Sequence, residues 1–352
     1  MELAALGFDN WFEERSAALL QPGQSMARVT AVDRGAFLIR NEDAEIYAEL
    51  AGKFRFSVES AGDMPCVGDW VCVQGHASGG PALIHSVVPR KTVLRRKSPG
   101  KTVDCQMIAA NIDVAFIVMS CGYDFNLGRL DRYLVMVSEG HIEPRIILSK
   151  TDLISPEELE QTILRSKQTG VPVEILPLSN TTGFGLDHLR AFLARGRTFC
   201  LLGSSGVGKT TLINRLIGHD AFYTKAVSGT GEGVHTTARR QLLLLDNGAM
   251  LIDTPGMREL GLLGTGDGLD NTFVEIREYA LNCRFANCTH SGEPGCAVRL
   301  AVTNGALSEA RYQSFLKLKK EAEFHDLSYL EKRRKDRSFG RFIKSAKKSL
   351  KE

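Results

Sequence analysis

The sequence predicts a multidomain fold: an all-β OB-fold barrel, then an α/β P-loop domain with a mainly parallel sheet, then a small, mostly helical metal-binding domain. Three observations predict it. Short alternating strands separated by turn signals fill residues 25–95. Strand–helix alternation follows, and within it Thr198 to Leu216 (TFCLLGSSGVGKTTLINRL) reads as strand, glycine-rich loop and helix. Further on, Cys283, Cys288, His290 and Cys296 stand at the spacing C-x4-C-x-H-x5-C. A chain of 352 residues is expected to hold two or three domains. The divisions fall at 1–24 (a helical lead), 25–95, 96–265 and 266–352.

The lead carries Leu3, Leu6, Trp11, Phe12 and Leu19 and ends at Gln21-Pro22-Gly23; packing against the next domain is its expected role. The barrel strands read as Ala27–Val32, Ala36–Ile39, Glu45–Leu50 and Asp69–Val73, with a further one before residue 95. OB-folds commonly bind oligonucleotides, and Arg28, Lys53, Arg55 and Arg90 are candidates to face phosphates. From Asp113 the strands are Asp113–Met119, Arg145–Leu148, Val173–Leu176 and Phe199–Leu202. Helices at Leu130–Val137, Pro156–Lys167 and Leu186–Leu193 separate them. Near-continuous apolar strands alternating with helices mean a parallel sheet covered on both faces. Asp246-Asn247-Gly248 marks a hairpin between Leu242–Leu245 and Met250–Ile252. Helices at Asn271–Leu281 and Ala306–Lys320 flank the cysteines.

Net charge is +3, unevenly spread: Arg311–Glu352 holds 14 Lys+Arg and 6 Asp+Glu, hence +8, against −5 for the remainder. Such a tail, with its run Lys332-Arg333-Arg334-Lys335, is either a solvated basic helix or a contact for an anionic partner such as RNA. Residues 1–15 show no signal-peptide pattern, and no apolar run reaches the ~18 residues of a membrane span. Five of the eight cysteines are scattered, which argues for a reducing, cytoplasmic compartment over a disulfide framework.

Gly203 to Thr210 spells G-x-x-x-x-G-K-T. Backbone N–H groups of Gly203, Ser204, Ser205, Gly206, Val207, Gly208 and the following helix start (Lys209, Thr210, Thr211) converge on an anion site. Gly206 and Gly208 let the backbone approach phosphates closely. Lys209 would reach the β/γ-phosphates, and the Thr210 hydroxyl would hold Mg²⁺. Ser149-Lys150-Thr151-Asp152 closes the second α/β strand. A carboxylate there can accept both the N1–H and N2–H of guanine, a donor pair adenine lacks, so Asp152 selects GTP; Lys150 would lie along the base. Ser179-Asn180, after the third strand, offers a backbone N–H to the guanine O6. In Asp253-Thr254-Pro255-Gly256, Asp253 would hold Mg²⁺ through water and the Gly256 N–H would sense the γ-phosphate. The glycine-rich loop 228–240 carries Thr237, a third candidate for the Mg²⁺ shell. Met257 stands where many GTPases place a water-orienting Gln, which leaves His235 as the catalytic candidate beside Lys209.

Motif order is informative. The guanine-reading motifs precede the P-loop, whereas in an ordinary small GTPase they follow it. Joining the old termini and opening the chain elsewhere preserves the contacts, so the order defines a circularly permuted P-loop GTPase domain. The permutation makes DTPG feed directly into the C-terminal region, a route by which the γ-phosphate state could reach it. At the cysteine cluster, three thiolates and one imidazole fill a tetrahedral Zn²⁺ shell with no open position, which predicts a structural zinc.

Taken together, these residues resemble the ribosome small-subunit-dependent GTPase A family of bacterial circularly permuted GTPases. The likeness runs from about residue 25 and includes Val67-Gly68-Asp69-Trp70-Val71, Ala110-Asn111-Ile112-Asp113, the permuted order, His235-Thr236-Thr237 and the full zinc ligand set. It implies an OB-fold, a central GTPase and a zinc domain. It also implies slow hydrolysis stimulated by the small (30S) ribosomal subunit, a role in that subunit's late maturation, contact with its rRNA, and a catalytic histidine at His235. A monomer without membrane attachment is expected. Two residues depart from the pattern. Ser149 replaces the usual Asn that ties the base-binding loop to the P-loop, which predicts weaker nucleotide binding with guanine specificity kept by Asp152. Asn180 replaces a common Ala, so its side chain must point away from the base.

A competing reading is an RNA-binding module in which nucleotide only orders the chain; intact Lys209, Thr210, Asp253 and His235 favour the enzyme. Asp152 argues against an ATPase.

Overall fold

In the barrel region, alternation translates into five short strands: β1 (Ser25–Val32), β2 (Phe37–Arg40), β3 (Glu45–Leu50), β4 (Trp70–Gln74) and β5 (Ala82–Val87). These come from a computed structural model of the chain, which describes residues 2–33, 35–75, 80–97, 105–122, 125–219, 240–254 and 267–323. β1 is antiparallel to both β2 and β4, β2 pairs β3, β3 runs parallel to β5, and β5 pairs β4, so the ring closes. Closure removes the unpaired edges that an open sheet would expose. Ala27, Val29, Phe37, Ile39, Val71 and Ile84 fill its interior. A helix of about two turns, α1 (Asn10–Ser16), precedes the barrel, and α2 (Gly52–Ser57) lies between β3 and β4.

β1 is buried on both faces, unlike the alternating β2. Its outward residues meet the rest of the chain rather than water. Arg28 is the main case. It is 2% exposed and donates to the carbonyls of Leu6, Gly68 (3.2 Å) and Asn111 (3.0 Å) and to Thr198 Oγ1 (2.8 Å). Arg90 is likewise committed, forking onto both oxygens of the buried Asp69 at 2.8 Å. The expectation that Arg28 and Arg90 face phosphates is therefore corrected: both guanidiniums staple domains and loops together. Lys53 and Arg55, on α2, remain exposed.

The lead docks as expected. The Asp9 carboxylate caps α1 at the N–H groups of Trp11 and Phe12. Phe8 meets Trp70 edge-on at 4.8 Å and Phe12 lies 6.0 Å from the same ring.

A hairpin of β6 (Val93–Lys97) and β7 (Cys105–Ala110) leads into the α/β domain. There the elements are β8 (Val114–Ser120), α3 (Leu127–Glu139), β9 (Glu143–Ser149), α4 (Pro156–Lys167), β10 (Ile175–Pro177), α5 (Leu186–Phe192), β11 (Thr198–Leu202), α6 (Lys209–Ile217), β12 (Gln241–Leu244) and β13 (Met250–Asp253). The sheet order is β10-β9-β8-β11-β13-β12, parallel except for the β12–β13 hairpin. On β8, Val114, Phe116 and Val118 pack toward α5 and α6, while Ala115, Ile117 and Met119 pack toward α3. Two-sided burial of this kind is why the strand reads as a continuous apolar run.

The C-terminal region is helical: α7 (Asp267–Thr272), α8 (Val274–Ala280), α9 (Ala297–Thr303) and α10, described over residues 309–323. The single helix expected at 271–281 is broken at Phe273, whose backbone leaves the helical region (φ −115°, ψ 50°). The break seats the Phe273 ring in the core against Phe315 (5.4 Å), with the Arg311 guanidinium 3.9 Å above it. α10 begins later than expected, because Ala306 and Leu307 donate back to the Ala301 carbonyl and Ser308 caps the new helix at Arg311 N–H. α3 packs on α7, where a Cβ on Gly268 would come within 2.7 Å of the Val135 carbonyl.

Candidate functional site

β11 ends at Leu202 and α6 starts at Lys209, so Gly203–Gly208 is the loop between a fully buried strand and a helix N-terminus. Two of its glycines are required by geometry. Gly203 has φ 152°, and a Cβ there would sit 2.3 Å from the Val118 carbonyl oxygen. Gly208 has φ 94° at the cap of α6. Lys209 Nζ folds back onto the carbonyls of Gly203 (2.7 Å) and Ser204 (2.6 Å). Thr210 and Thr211 occupy the first turn of α6, half-buried.

The guanine-reading candidates lie on the neighbouring strands. β9 ends at Ser149, and the chain then passes through Lys150 in the left-handed region (φ 59°) into the turn Thr151–Leu153. A non-glycine residue held there is sterically costly and typical of functional turns. Asp152 Oδ1 accepts the Ser179 hydroxyl at 2.5 Å, and Ser179 Oγ in turn accepts the N–H groups of Thr181 and Thr182. One hydroxyl thus fixes the carboxylate to the other candidate guanine loop.

Both departures from the family pattern bond to the P-loop. The Ser149 hydroxyl, 1% exposed, donates to the Val207 carbonyl at 2.7 Å. Asn180 Nδ2 donates to the Gly208 carbonyl at 3.0 Å. The tie expected to be lost with Asn at position 149 is present, made by two shorter reaches. The Asn180 side chain is turned to the P-loop by that bond. Its Oδ1 is buried without a partner among the described residues.

Asp253 ends β13, beside β11, and the Thr254 hydroxyl ties the two strand ends through the Leu201 carbonyl (2.8 Å). Burial pushes the Asp253 carboxyl up to about 6, with Lys209 nearby acting in the opposite direction. A hydroxyl (Thr210) and a carboxylate (Asp253) are the hard oxygen donors that Mg²⁺ takes. His235, Thr237, Gly256 and Met257 lie outside the described residues.

Sequence reasoning missed Arg129. In the first turn of α3, it donates from Nη1 to the Ser204 hydroxyl at 2.6 Å. No spacing rule connects residue 129 to a loop seventy-five positions later; only the β8–β11 pairing brings them together.

The candidate metal ligands of Cys283, Cys288, His290 and Cys296 lie within 4.8 Å of one another. Cys283 and Cys296 sulfurs are 3.9 Å apart and lie 3.6 and 3.5 Å from His290 Nδ1. A tetrahedron with Zn–S about 2.3 Å and Zn–N about 2.0–2.1 Å has edges of about 3.8 and 3.6 Å, so the donor set fits that ion. Burial, together with Lys319, holds His290 below its ordinary range and favours the neutral imidazole that a metal needs. His290 has φ 66°, and its carbonyl accepts the Tyr312 hydroxyl at 2.5 Å. These four residues can hold a metal ion.

A P-loop on a parallel sheet, with the candidate base-reading loops on strands that precede it in sequence, defines a circularly permuted P-loop GTPase. A family model described as RsgA GTPase matches residues 87–263. The Small ribosomal subunit biogenesis GTPase RsgA 2 of Lactiplantibacillus plantarum is 41% identical over 321 residues, 90% of each chain. The crystal structure of YjeQ from Thermotoga maritima matches with a TM-score of 0.63 at 25% identity, over 85% of this chain and 98% of that one. The structure of YloQ, a circularly permuted GTPase, matches at 0.60 and 25% identity, over 85% and 95%. The chain belongs to the RsgA GTPase family.

Proposed function

We propose that this GTPase is an assembly factor acting in late maturation of the small ribosomal subunit, binding its rRNA and hydrolysing GTP faster when bound. The observation that carries the enzyme half is the locked guanine loop: Asp152 held by Ser179, with Ser149 and Asn180 anchoring that side of the pocket to the P-loop. Asp152 and Lys150 bind the base, and the Ser179-Asn180 backbone meets its O6. Gly203–Thr211 cradle the phosphates, and Lys209 neutralises the β/γ end. Thr210, Asp253 and Thr237 hold Mg²⁺, which when bound neutralises charge on the phosphate oxygens. Gly256 senses the γ-phosphate, and His235 orients the attacking water. Cys283, Cys288, His290 and Cys296 hold one structural Zn²⁺.

For rRNA, the barrel offers Tyr47 (60% exposed) and Phe56 (92% exposed) with Lys53 and Arg55 beside Phe56. Exposed aromatics among basic side chains supply stacking and phosphate contact together. The basic tail adds +8. The biogenesis role in the name of the L. plantarum relative supports the same partner. No helix among the described residues is long and apolar enough to cross a membrane. A factor for the small subunit works where that subunit is assembled, in the cytoplasm, and the proposed acting form is a monomer. The proposed division is 1–24, 25–95, 96–265 and 266–352.

The test is phosphate release from GTP with and without purified small subunits. The expected result is slow release alone and marked stimulation by the subunit, lost in His235→Ala. Unstimulated turnover would instead favour an RNA-binding module that nucleotide merely orders.

A further inference from the structure

Two cations from different helices converge on one P-loop residue. Lys209 Nζ binds the Ser204 carbonyl, and Arg129 Nη1 binds the Ser204 hydroxyl, each at 2.6 Å. Ser204 stands at the start of the loop. The later N–H groups of a P-loop wrap the α- and β-phosphates, and its Lys reaches the β/γ end. A guanidinium over the first loop residues therefore faces the distal phosphate.

Arg129 is also close in sequence to the grip on the C-terminal domain. Asp131, two residues on, is 3% exposed; it accepts from Arg311 and from the Ser314 hydroxyl (2.6 Å). Arg132 forks onto both oxygens of Glu321. Arg311 further binds Glu275 (2.7 Å) and the Thr272 carbonyl, so α3, α7, α8 and α10 share one buried polar network. The buried side of α3, with Leu130, Tyr133, Leu134 and Val137, makes it a rigid body. Between its first turn and α10 lies a cavity of about 480 Å³, lined by Arg129, Asp131, Arg311, Ser314 and Lys317 among others. It leaves room for one helix to shift against the other.

We propose that Arg129 is a second phosphate-contacting cation, specific for the terminal phosphate, and that α3 transmits its engagement to α10. This rests on the GTPase reading. A phosphate oxygen is a stronger acceptor for guanidinium than a serine hydroxyl, so GTP draws Arg129 off Ser204 and GDP, lacking that phosphate, leaves it there. The difference between the two nucleotides is the differential interaction that any population shift requires. The route is separate from the chain connection through DTPG.

The experiment uses the full chain with fluorescent GDP and a fluorescent non-hydrolysable GTP analogue, on wild type, R129A, R129Q and R129K. A charge-assisted hydrogen bond to phosphate corresponds to a loss of about tenfold or more. The expected result is that loss for the GTP analogue in R129A and R129Q, GDP affinity held within about twofold, and partial recovery in R129K. Hydrogen exchange of residues 309–323 should differ between the two nucleotides in wild type and stop differing in R129A. R129Q keeps the side-chain length without charge, so the reading survives if alanine disturbs the helix. Equal losses for both nucleotides would mean that Arg129 only props the loop, and equal exchange in wild type would remove the coupling; either overturns the proposal. A wild-type chain that binds neither nucleotide would overturn the GTPase reading itself, an outcome distinguishable from both.

Discussion

Ser149 and Val207 are joined by a 2.7 Å hydrogen bond between a fully buried hydroxyl and a P-loop carbonyl. A serine has one proton to donate, and the Met119 carbonyl, at 3.3 Å, is the weaker competitor. The bond fixes the loop proposed to cradle the phosphates, so its loss should affect GDP and GTP alike. At about 1 kcal/mol for a net hydrogen bond, Ser149→Ala should weaken both nucleotides about fivefold. Asn180→Ala should do the same through Gly208, and the double variant should lose more than the sum, because each bond limits the same loop. Titration of the three variants with labelled GDP checks it; wild-type affinity in all three would show that the ties do not hold the loop.

Asp253, the proposed Mg²⁺ ligand, carries a stability cost. Its folded pKa is about 6 against an ordinary 3.8. A raised carboxyl contributes stability that is present below the unfolded pKa and lost as pH rises through the folded one. The nucleotide-free chain should therefore lose up to about 3 kcal/mol from this group between pH 4 and pH 6. Asp253→Asn mimics the protonated form. It should unfold at higher urea than wild type at pH 7.5, match it near pH 4, and fail to couple Mg²⁺ to GTP binding. Identical urea midpoints at pH 7.5 would contradict the burial penalty.

How far the sequence can be read depends on where each residue's partners lie. The P-loop, the strand–helix alternation and the cysteine spacing are local, and they translate directly into β11–α6, the parallel sheet and the ligand cluster. The Asp152–Ser179 contact is not local: Asp152 lies in the turn after β9 and Ser179 just past β10, and the parallel β9–β10 pairing brings the two together. Arg28 misleads because alternation places it outside the barrel, and only the docking of β11 and the lead against β1 turns that outside into an interior. The same holds for Arg129 and Arg311: their partners sit 75 and 180 residues away in sequence. The break at Phe273 is likewise tertiary, since nothing in the sequence of Asn271–Leu281 opposes a continuous helix; the demand comes from Phe315 and Arg311.

Arg28 yields a stability prediction. Arg28→Ala leaves the Leu6 and Asn111 carbonyls and Thr198 Oγ1 without this donor in a buried interface, each at about 1–3 kcal/mol if unsatisfied, while the Gly68 carbonyl keeps Asn111 Nδ2. A loss of at least about 3 kcal/mol in urea unfolding is expected. Arg28→Lys should recover little, because an ammonium cannot present donors along the separate directions of a guanidinium fork. Protease cleavage should appear first near residues 17–24, where the lead loses its anchor. A lysine variant as stable as wild type would mean that charge rather than fork geometry matters.

The candidate metal centre separates a folding role from a catalytic one. Cys283, Cys288, His290 and Cys296 sit on the connection between α8 and α9, but Phe273, Val298, Tyr312 and Phe315 tie the surrounding helices into the apolar core they share with α3. Metal removal should therefore loosen the module without unfolding the nucleotide domain, unlike an isolated zinc finger, which is unfolded without its ion. Purified protein should carry one zinc per chain, and Cys288→Ser should lower that occupancy. Chelation should raise hydrogen exchange in residues 281–303 while GDP affinity stays within about twofold. Stimulation by small subunits should fall in parallel with zinc content if the module docks there. Loss of GDP binding together with zinc would place the metal in the nucleotide domain's folding instead, and metal analysis returning iron or no metal would overturn the zinc assignment.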